Sequence, residues 1–390
     1  MISVEEALAQ LFALVTPLDA EVVPLREAAG RVLAETVTAK RDQPPFAASA
    51  MDGYAVVQDD VAPDAVLQVV GEAAAGHRWD GALARGQALR IFTGAPLPDG
   101  ADHVLIQENV AGQGDWITVD DSDNSASHVR PSGADFQAGT PIKAPRLLNP
   151  ADIALLAAMN IAAVPVARRP VVAIIATGDE LVQPGENPRE DQIIASNSYG
   201  LAAMLEANGA RARMLPIARD TVPALQQAFA FAKGADLILT IGGASVGDHD
   251  LVGDVAVTAG MERSFYKVAM RPGKPLMAGR MGDAAMVGLP GNPVSAMVCG
   301  HILILPLIRK MLGLGAAPAP RQTATLAHDI TQNGPREHYM RASLGPDGVT
   351  IFDRQDSALL TVLTAANCLA VRPPHDQARR AGDMIDILTI

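Results

Sequence analysis

Apolar residues recur at helical spacing from the fourth residue onward. Val4, Ala7, Leu8, Leu11, Phe12 and Val15 form one stripe, the pattern of a helix with a single buried face. Ser3 and Glu6 open it as a capping box, hydroxyl and carboxylate each satisfying a backbone N–H that the first turn leaves free, and Pro17 ends it. A second short helical piece is expected over 25–33. From Gln43 the period changes. QPPFAASAMDGYAV is turn-rich and then strand-like, and alternating segments at 66–70, 88–92 and 103–108 are separated by Gly and Pro turns, which predicts a small β-rich body. Helical patterning returns over 149–159, with Asn149 as cap and Pro150 at the first helical position.

Between 170 and 312 the alternation is of another kind. PVVAIIATG is a continuous apolar run, as a strand covered on both faces requires. It is followed by a helix at 198–207, a strand at 211–217, a helix at 223–233, a strand at 236–241, a helix at 250–259, strands at 265–270 and 285–289, and a long helix from Pro293. This is the pattern of a doubly wound α/β sheet, whose ligands bind beyond the carboxyl ends of the strands. After the Ala/Pro-rich GLGAAPAPR, candidate strands lie at 321–326, 339–344, 349–352, 368–372 and 384–388. The expected fold class is α/β plus β, multidomain. A doubly wound α/β domain is built from 1–20 and 169–315, and a helical linker domain from 21–45 and 140–168. An inserted β-rich domain spans 46–139 and a C-terminal β domain 318–390.

Composition narrows the function. With 390 residues the chain exceeds one ordinary core. A net charge of -12 and 4% aromatics argue against general nucleic-acid binding, which calls for a basic face and stacking platforms. Cys299 and Cys368 form no C-x-x-C pair and read as reduced thiols. MISVEEALAQ lacks a basic leader and does not read as a signal peptide. The apolar stretch at 294–308 is broken by Gly300, His301 and Pro306, which reads as too short and interrupted to span a bilayer. A cytoplasmic enzyme is the expectation.

The chemistry lies at the strand ends. Gly243-Ala-Ser-Val-Gly247 has the form G-x-S-x-G, the nucleophile elbow of α/β-hydrolases, which would make Ser245 a nucleophile. Gly247 and Asp248 delay the helix that an elbow needs at once, and no HGGG-type stretch accompanies it. Backbone and charge make the better reading: Gly242 and Gly243 let amides approach an anion at a strand end. ATGDEL at 176–181 adds Asp179 and Glu180 at a neighbouring strand end, ARD at 218–220 adds Asp220, and Asp248 and Asp250 follow the glycines. One aspartate could simply cap a helix, as Asp220 could for the next one; carboxylates converging on one rim call for a hard cation such as Mg²⁺. MRPGKP at 270–275 presents Arg271 and Lys274 on a rigid turn, with Lys267 just before, a cationic clamp for phosphate. GLPGNPVS at 288–295 opens the long helix, with Asn292 as cap and Pro293 in its first turn.

TGDEL, GGASVGDHD, PGKP and LPGNPVS in this order, with SAMDGYAV, FTGAPLPDGAD and RPSGAD before them and QDSALLTVLTAAN after, resemble the molybdopterin molybdenumtransferase family, enzymes similar to the E domain of gephyrin. The resemblance covers nearly the whole chain. It implies a molybdopterin-binding α/β domain within an elongated four-domain homodimer, with the active cleft between that domain and other domains of the partner. The reaction it implies joins adenylylated molybdopterin and molybdate, with Mg²⁺, to give molybdenum cofactor and AMP. By motif matching, Glu180, Asp220 and Asp250 would bind the cation or orient molybdate, and Lys267, Arg271 and Lys274 would hold phosphate or oxyanion. Asp52, Thr93, Arg130, Asp135 and Ser357 would approach from other domains. Gly242, Gly243, Ser245, Gly247, Asp248 and Asn292 would line the substrate, with Pro290 and Pro293 shaping the pterin-side loop. Transient contact with molybdopterin adenylyltransferase or recipient molybdoenzymes is a further implication, with no nucleic-acid or membrane partner. Departures are Arg271 where lysine is frequent, Ala134 where an acid is frequent, Ala244 where valine is frequent, and Asp356-Ser357-Ala358 in place of a glycine-richer loop. Rival readings are adenylyl transfer to molybdopterin, expected of a lone α/β domain, and a pterin-binding scaffold without turnover.

Overall fold

The computed structural model describes residues 1–120, 124–243 and 251–390. Ser245, Gly247, Asp248 and Asp250 lie outside the described residues.

A six-stranded sheet organises the centre of the molecule. Its order in space is Arg211–Met214, Val171–Ala176, Leu237–Ile241, Ala284–Leu289, Met277–Met281, Met261–Tyr266. The first four strands run parallel, Met277–Met281 is added antiparallel to them, and Met261–Tyr266 pairs antiparallel with Met277–Met281. Leu237–Ile241 and Ala284–Leu289 are buried at every position, because helices cover both faces of a parallel sheet. One face packs on Leu201, Leu205, Val298, Leu303 and Leu307, the other on Leu225, Phe229, Val252 and Val255.

The N-terminal helix Val4–Ala13 carries the expected capping box between Ser3 and Glu6. It buries Val4, Leu8 and Leu11 in the first of those two layers, which puts the chain's opening turns in the α/β core. The long helical segment Pro293–Met311 is not broken by Gly300, His301 or Pro306. One π-helical turn at Gly300–Ile304 absorbs the disturbance, and Pro306 follows it directly inside the continuing helix Leu305–Met311, where the irregular hydrogen bonding of the π turn accommodates a residue without an N–H. By length and composition this helix meets the requirement for a bilayer span, which corrects the sequence expectation. It is 72% buried inside the fold, so its apolar character is explained by the core.

Before the central sheet, Ala20–Pro24, Ala163–Ala167, Val32–Leu33 and Arg146–Leu147 form an antiparallel sheet. The helix Pro150–Ala158, capped by Asn149, packs on it through Leu156. The helix expected over 25–33 is a single 3₁₀ turn, Leu25–Glu27, followed by a strand. The region expected to be helical therefore carries a sheet as well: Val32 and Leu33 are buried side by side, and tertiary pairing overrides weak local helical preference. Strands from Gly53–Val56 to Trp116–Val119 build a second six-stranded sheet. At the C-terminus Glu337–Gly345, Cys368–Arg372, Met384–Thr389 and Gln322–Thr325 form a third, joined at its edge by Met270–Arg271. The expected strand at 265–270 is thus split. Met261–Tyr266 stays in the central sheet, while Met270 and Arg271 cross to the C-terminal one.

Candidate functional site

The chain moves from Val171–Ala176 outward to Arg211–Met214, then back across to Leu237–Ile241 on the other side. The sheet's order reverses between the two inner strands, and a crevice opens where their following loops part. A cavity of about 560 Å³ occupies that place. Ala176, Thr177 and Gly178 come from the first strand end, Ile241, Gly242 and Gly243 from the second, and Pro290, Gly291, Asn292 and Pro293 from the strand-to-helix turn after Ala284–Leu289.

Glycine is required at two of these turns. A Cβ on Gly242 (φ 98°) would stand 2.7 Å from the Thr177 carbonyl, and one on Gly243 (φ 66°) would stand 2.2 Å from the Val252 side chain. The Gly242 N–H donates to the Leu289 carbonyl at 3.1 Å, so this amide is not free to face an anion. Its role is to let three strand ends close together.

Glu180 and Asp220 both line the cavity. The Glu180 carboxylate lies against bare Gly178, where a Cβ would come within 2.4 Å of it. Asp220 does not cap the next helix, whose capping position is Thr221. Its carboxyl is held above the usual range by partial desolvation and by the neighbouring charges of Asp179 and Glu180, against one hydrogen bond accepted from the Asp179 backbone. Arg219 fastens these loops, donating to the Asp179 carbonyl at 3.1 Å. Among the described residues no three His, Cys, Asp or Glu side chains are grouped to hold a metal. Glu180 and Asp220 supply two carboxylates with surplus negative charge, which suits a Mg²⁺ that keeps most of its water ligands.

The helix start at Pro293 differs from expectation. Asn292 stands at the capping position but makes no cap bond. Its Nδ2 donates instead to Ser357 Oγ at 3.1 Å, and the Val294 N–H donates to the Ser357 carbonyl at 2.9 Å. The C-terminal loop therefore closes this helix end, and Ala358 of the same loop lines the cavity.

Lys267, Arg271 and Lys274 are not among the described cavity lining, although Pro275 is. Lys267 has the left-handed φ of 69°, sparsely populated for a side chain of this size, and its ammonium lies over the Tyr266 ring at 4.7 Å. Arg271 is exposed and pairs in register with His338. Asp52, Thr93, Arg130 and Asp135 are likewise exposed and absent from the described lining. Pairing of Ala48–Ser49 with Val129–Arg130 and the bond from Asp135 N to the Gln43 carbonyl draw these segments together. The Asp52 carboxylate accepts from the Thr93 N–H at 2.7 Å and from its hydroxyl at 2.8 Å, which holds it below the usual range.

Arg341 was not singled out by the sequence. It is 0% exposed, and Nε and Nη1 have no hydrogen-bond partner among the described residues. Nη2 donates to the Asp356 carbonyl at 3.2 Å, directly behind Ser357. Burial and the nearby Arg271 charge lower its pKa to about 10, partly offset by Asp356, so it remains a cation at neutral pH. The only signal was an arginine between Met340 and Ala342 in a strand that also carries Glu337, His338 and Ser343, too mixed a pattern to mark it. An unpaired buried guanidinium costs stability unless an anion meets it.

Residues 2–160 match the family described as MoeA N-terminal region (domain I and II). Residues 173–310 match a probable molybdopterin binding domain, and residues 323–390 match MoeA C-terminal region (domain IV). A molybdopterin molybdenumtransferase of Nostoc sp. is 38% identical, covering 100% of this chain and 94% of that protein. The Haemophilus influenzae molybdopterin molybdenumtransferase is 33% identical over 95% of this chain and 94% of its own length. Among solved structures, the molybdopterin biosynthesis MoeA protein from Pyrococcus horikosii superposes with a TM-score of 0.86 at 28% identity, covering 100% of this chain and 99% of that one. With the cavity at the sheet's reversal point and relatives of this kind along its whole length, the chain belongs to the molybdopterin molybdenumtransferase family, enzymes of molybdenum cofactor biosynthesis.

Proposed function

We propose that the cavity at the carboxyl ends of the central strands takes adenylylated molybdopterin and molybdate, releasing AMP and molybdenum cofactor. The observation that carries this reading is Asp220. A carboxylate whose charged form is disfavoured first by desolvation and then by Asp179 and Glu180, inside a cavity that also presents Glu180, is suited to share a divalent cation. Mg²⁺ bound there would neutralise phosphate charge, with Asp250 as the expected third carboxylate. The protein's own part is placement and charge neutralisation. Glu180 and Asp220 fix the cation side, and Pro290 and Pro293 shape the wall beside the glycine turns. Arg271, Lys274 and Lys267 stand outside the described cavity lining, next to Pro275 which belongs to it, and would hold oxyanion or phosphate only by reaching in from that edge; buried Arg341 adds a fixed cation near the Ser357 loop. Ser245, Gly247 and Asp248 complete the substrate contacts.

The reading calls for a homodimer. Asp52, Thr93, Arg130 and Asp135 contribute nothing to the described cavity of their own chain. A second copy related by a two-fold axis would supply its own set to this cavity. The four domains at 21–45 with 140–168, 46–139, 1–20 with 169–315, and 318–390 are the units such a dimer would bring together. Both cysteines are free and buried, which agrees with a reducing, cytoplasmic setting. Transient handover from molybdopterin adenylyltransferase and to recipient molybdoenzymes completes the reading.

The test is turnover of adenylylated molybdopterin by the purified protein with molybdate and Mg²⁺. The expected result is AMP release that requires both additions. Pyrophosphate release from ATP and molybdopterin instead would assign the chain the preceding adenylyl transfer.

A further inference from the structure

Isoleucine in this chain is buried or half-buried nearly throughout. Among the described residues only Ile193, at 59%, and Ile194, at 38%, are exposed. Both line the cavity. They form the second strand of a two-residue parallel ribbon in which Leu181 pairs with Ile193 and Val182 with Ile194. The ribbon is continuous with the carboxylate loop. The Ile193 N–H donates to the Glu180 carbonyl at 2.8 Å, and the Ala195 N–H to the Val182 carbonyl at 2.9 Å. Tyr199 fixes its far end, its hydroxyl bonding Gln183 Oε1 at 3.1 Å. The cavity thus has a carboxylate side at Glu180 and Asp220 and, pinned to it by backbone hydrogen bonds, an aliphatic side without a partner.

Two large aliphatic side chains held open to water beside a polar site gain free energy from any apolar face that covers them. A phosphate or an oxyanion has no such face; a flat heteroaromatic ring does. We propose that Ile193 and Ile194 are the ring-binding wall of the substrate site, a specificity determinant that grips the flat heterocycle of a phosphorylated ligand while Glu180, on the same ribbon, meets its charged part. The inference rests on the pterin-nucleotide reading of the cavity. That substrate offers two such rings, the pterin and the adenine, and the wall takes one of them.

The test measures equilibrium binding of molybdopterin and, separately, of AMP to the full-length protein, with no turnover required. Ile193→Ser with Ile194→Ser is compared with wild type, with Ile193→Leu, and with Leu344→Ser, which alters an exposed aliphatic on a C-terminal strand. The serine pair is expected to weaken one of the two ligands about tenfold with an unchanged melting temperature, while Ile193→Leu and Leu344→Ser stay within about twofold of wild type. Loss confined to molybdopterin assigns the wall to the pterin; loss confined to AMP assigns it to adenine. Unchanged binding of both overturns the inference even if AMP release proceeds normally. A wild-type protein that binds neither compound overturns the cavity reading and the inference together.

Discussion

Asp220 and Asp52 are carboxylates of the same chemistry in opposite circumstances. Asp220 sits at the rim of the central sheet, partly desolvated and crowded by Asp179 and Glu180, and its charged form is disfavoured. Asp52 stands on the second six-stranded sheet's exposed side, where Thr93 gives it two hydrogen bonds and Arg90 lies near, and its charged form is favoured. Arg90 is itself held between Tyr54 and Phe92, 5.0 and 4.8 Å from their ring centroids. The first region stores unneutralised charge in a cavity; the second holds a satisfied anion on an open surface. A site waiting for a cation looks like the first, and a preorganised surface presented to another body looks like the second.

The largest effect that separates them comes from Asp220→Asn. It is expected to lower kcat for AMP release about 10²–10³-fold, while the metal-free protein melts slightly higher at neutral pH. The pH dependence gives the sign. A carboxyl whose folded pKa is raised penalises the fold above that pKa, so the stability gain of Asp220→Asn should fade as the pH falls through it. Asp52, with a lowered pKa, contributes stability above the unfolded value that is lost as the pH falls through the folded one. Asp52→Asn should therefore lower the melting temperature at neutral pH, and that loss should disappear in acid. Thermal melts of both variants between neutral and acidic pH check the opposition.

Arg341→Met extends the contrast to a buried cation. Replacing a fully buried guanidinium that has only one hydrogen bond from its Nη2 and none from Nε or Nη1 with an apolar side chain of similar reach is expected to stabilise by about 1–3 kcal/mol, while raising the KM for molybdate roughly tenfold. Denaturant titration and molybdate-dependent kinetics read the two effects. Gly243→Ala, at φ 66° and with a new Cβ 2.2 Å from Val252, should destabilise by about 1–3 kcal/mol, measured by the same titration. The smallest effect is expected of Asn292→Ala. It removes one exposed hydrogen bond to Ser357 and should reduce kcat/KM only a few-fold.

The inner strands of the central sheet were legible because Val171–Ala176, Leu237–Ile241 and Ala284–Leu289 are continuous apolar runs between turn signals; Met277–Met281, interrupted by Gly279 and Arg280, was not foreseen. The turn chemistry of Ser3, Asn149 and Pro150 was legible for the same local reason. The piece over 25–33 was not. Two buried residues, Val32 and Leu33, take their strand from partners at 146–147 and 166 that local pattern does not reveal. At the site, Glu180 and Asp220 announced themselves as acids at neighbouring strand ends. Asn292 misled, since capping chemistry and a bond to Ser357 use the same amide. Arg341 escaped because its significance is a full burial that leaves Nε and Nη1 without a hydrogen-bond partner among the described residues, a property of packing.

The claim that the two regions serve one active site is tested most directly by mixing two inactive variants, Asp220→Asn and Asp52→Asn, under conditions that let subunits exchange. If Asp52 of one copy completes the cavity of the other, each mixed dimer regains one intact site, and about a quarter of wild-type AMP release should return. Mixtures as inactive as the separate variants would contradict the account, because Asp52 would then act within its own chain and not on the partner's cavity.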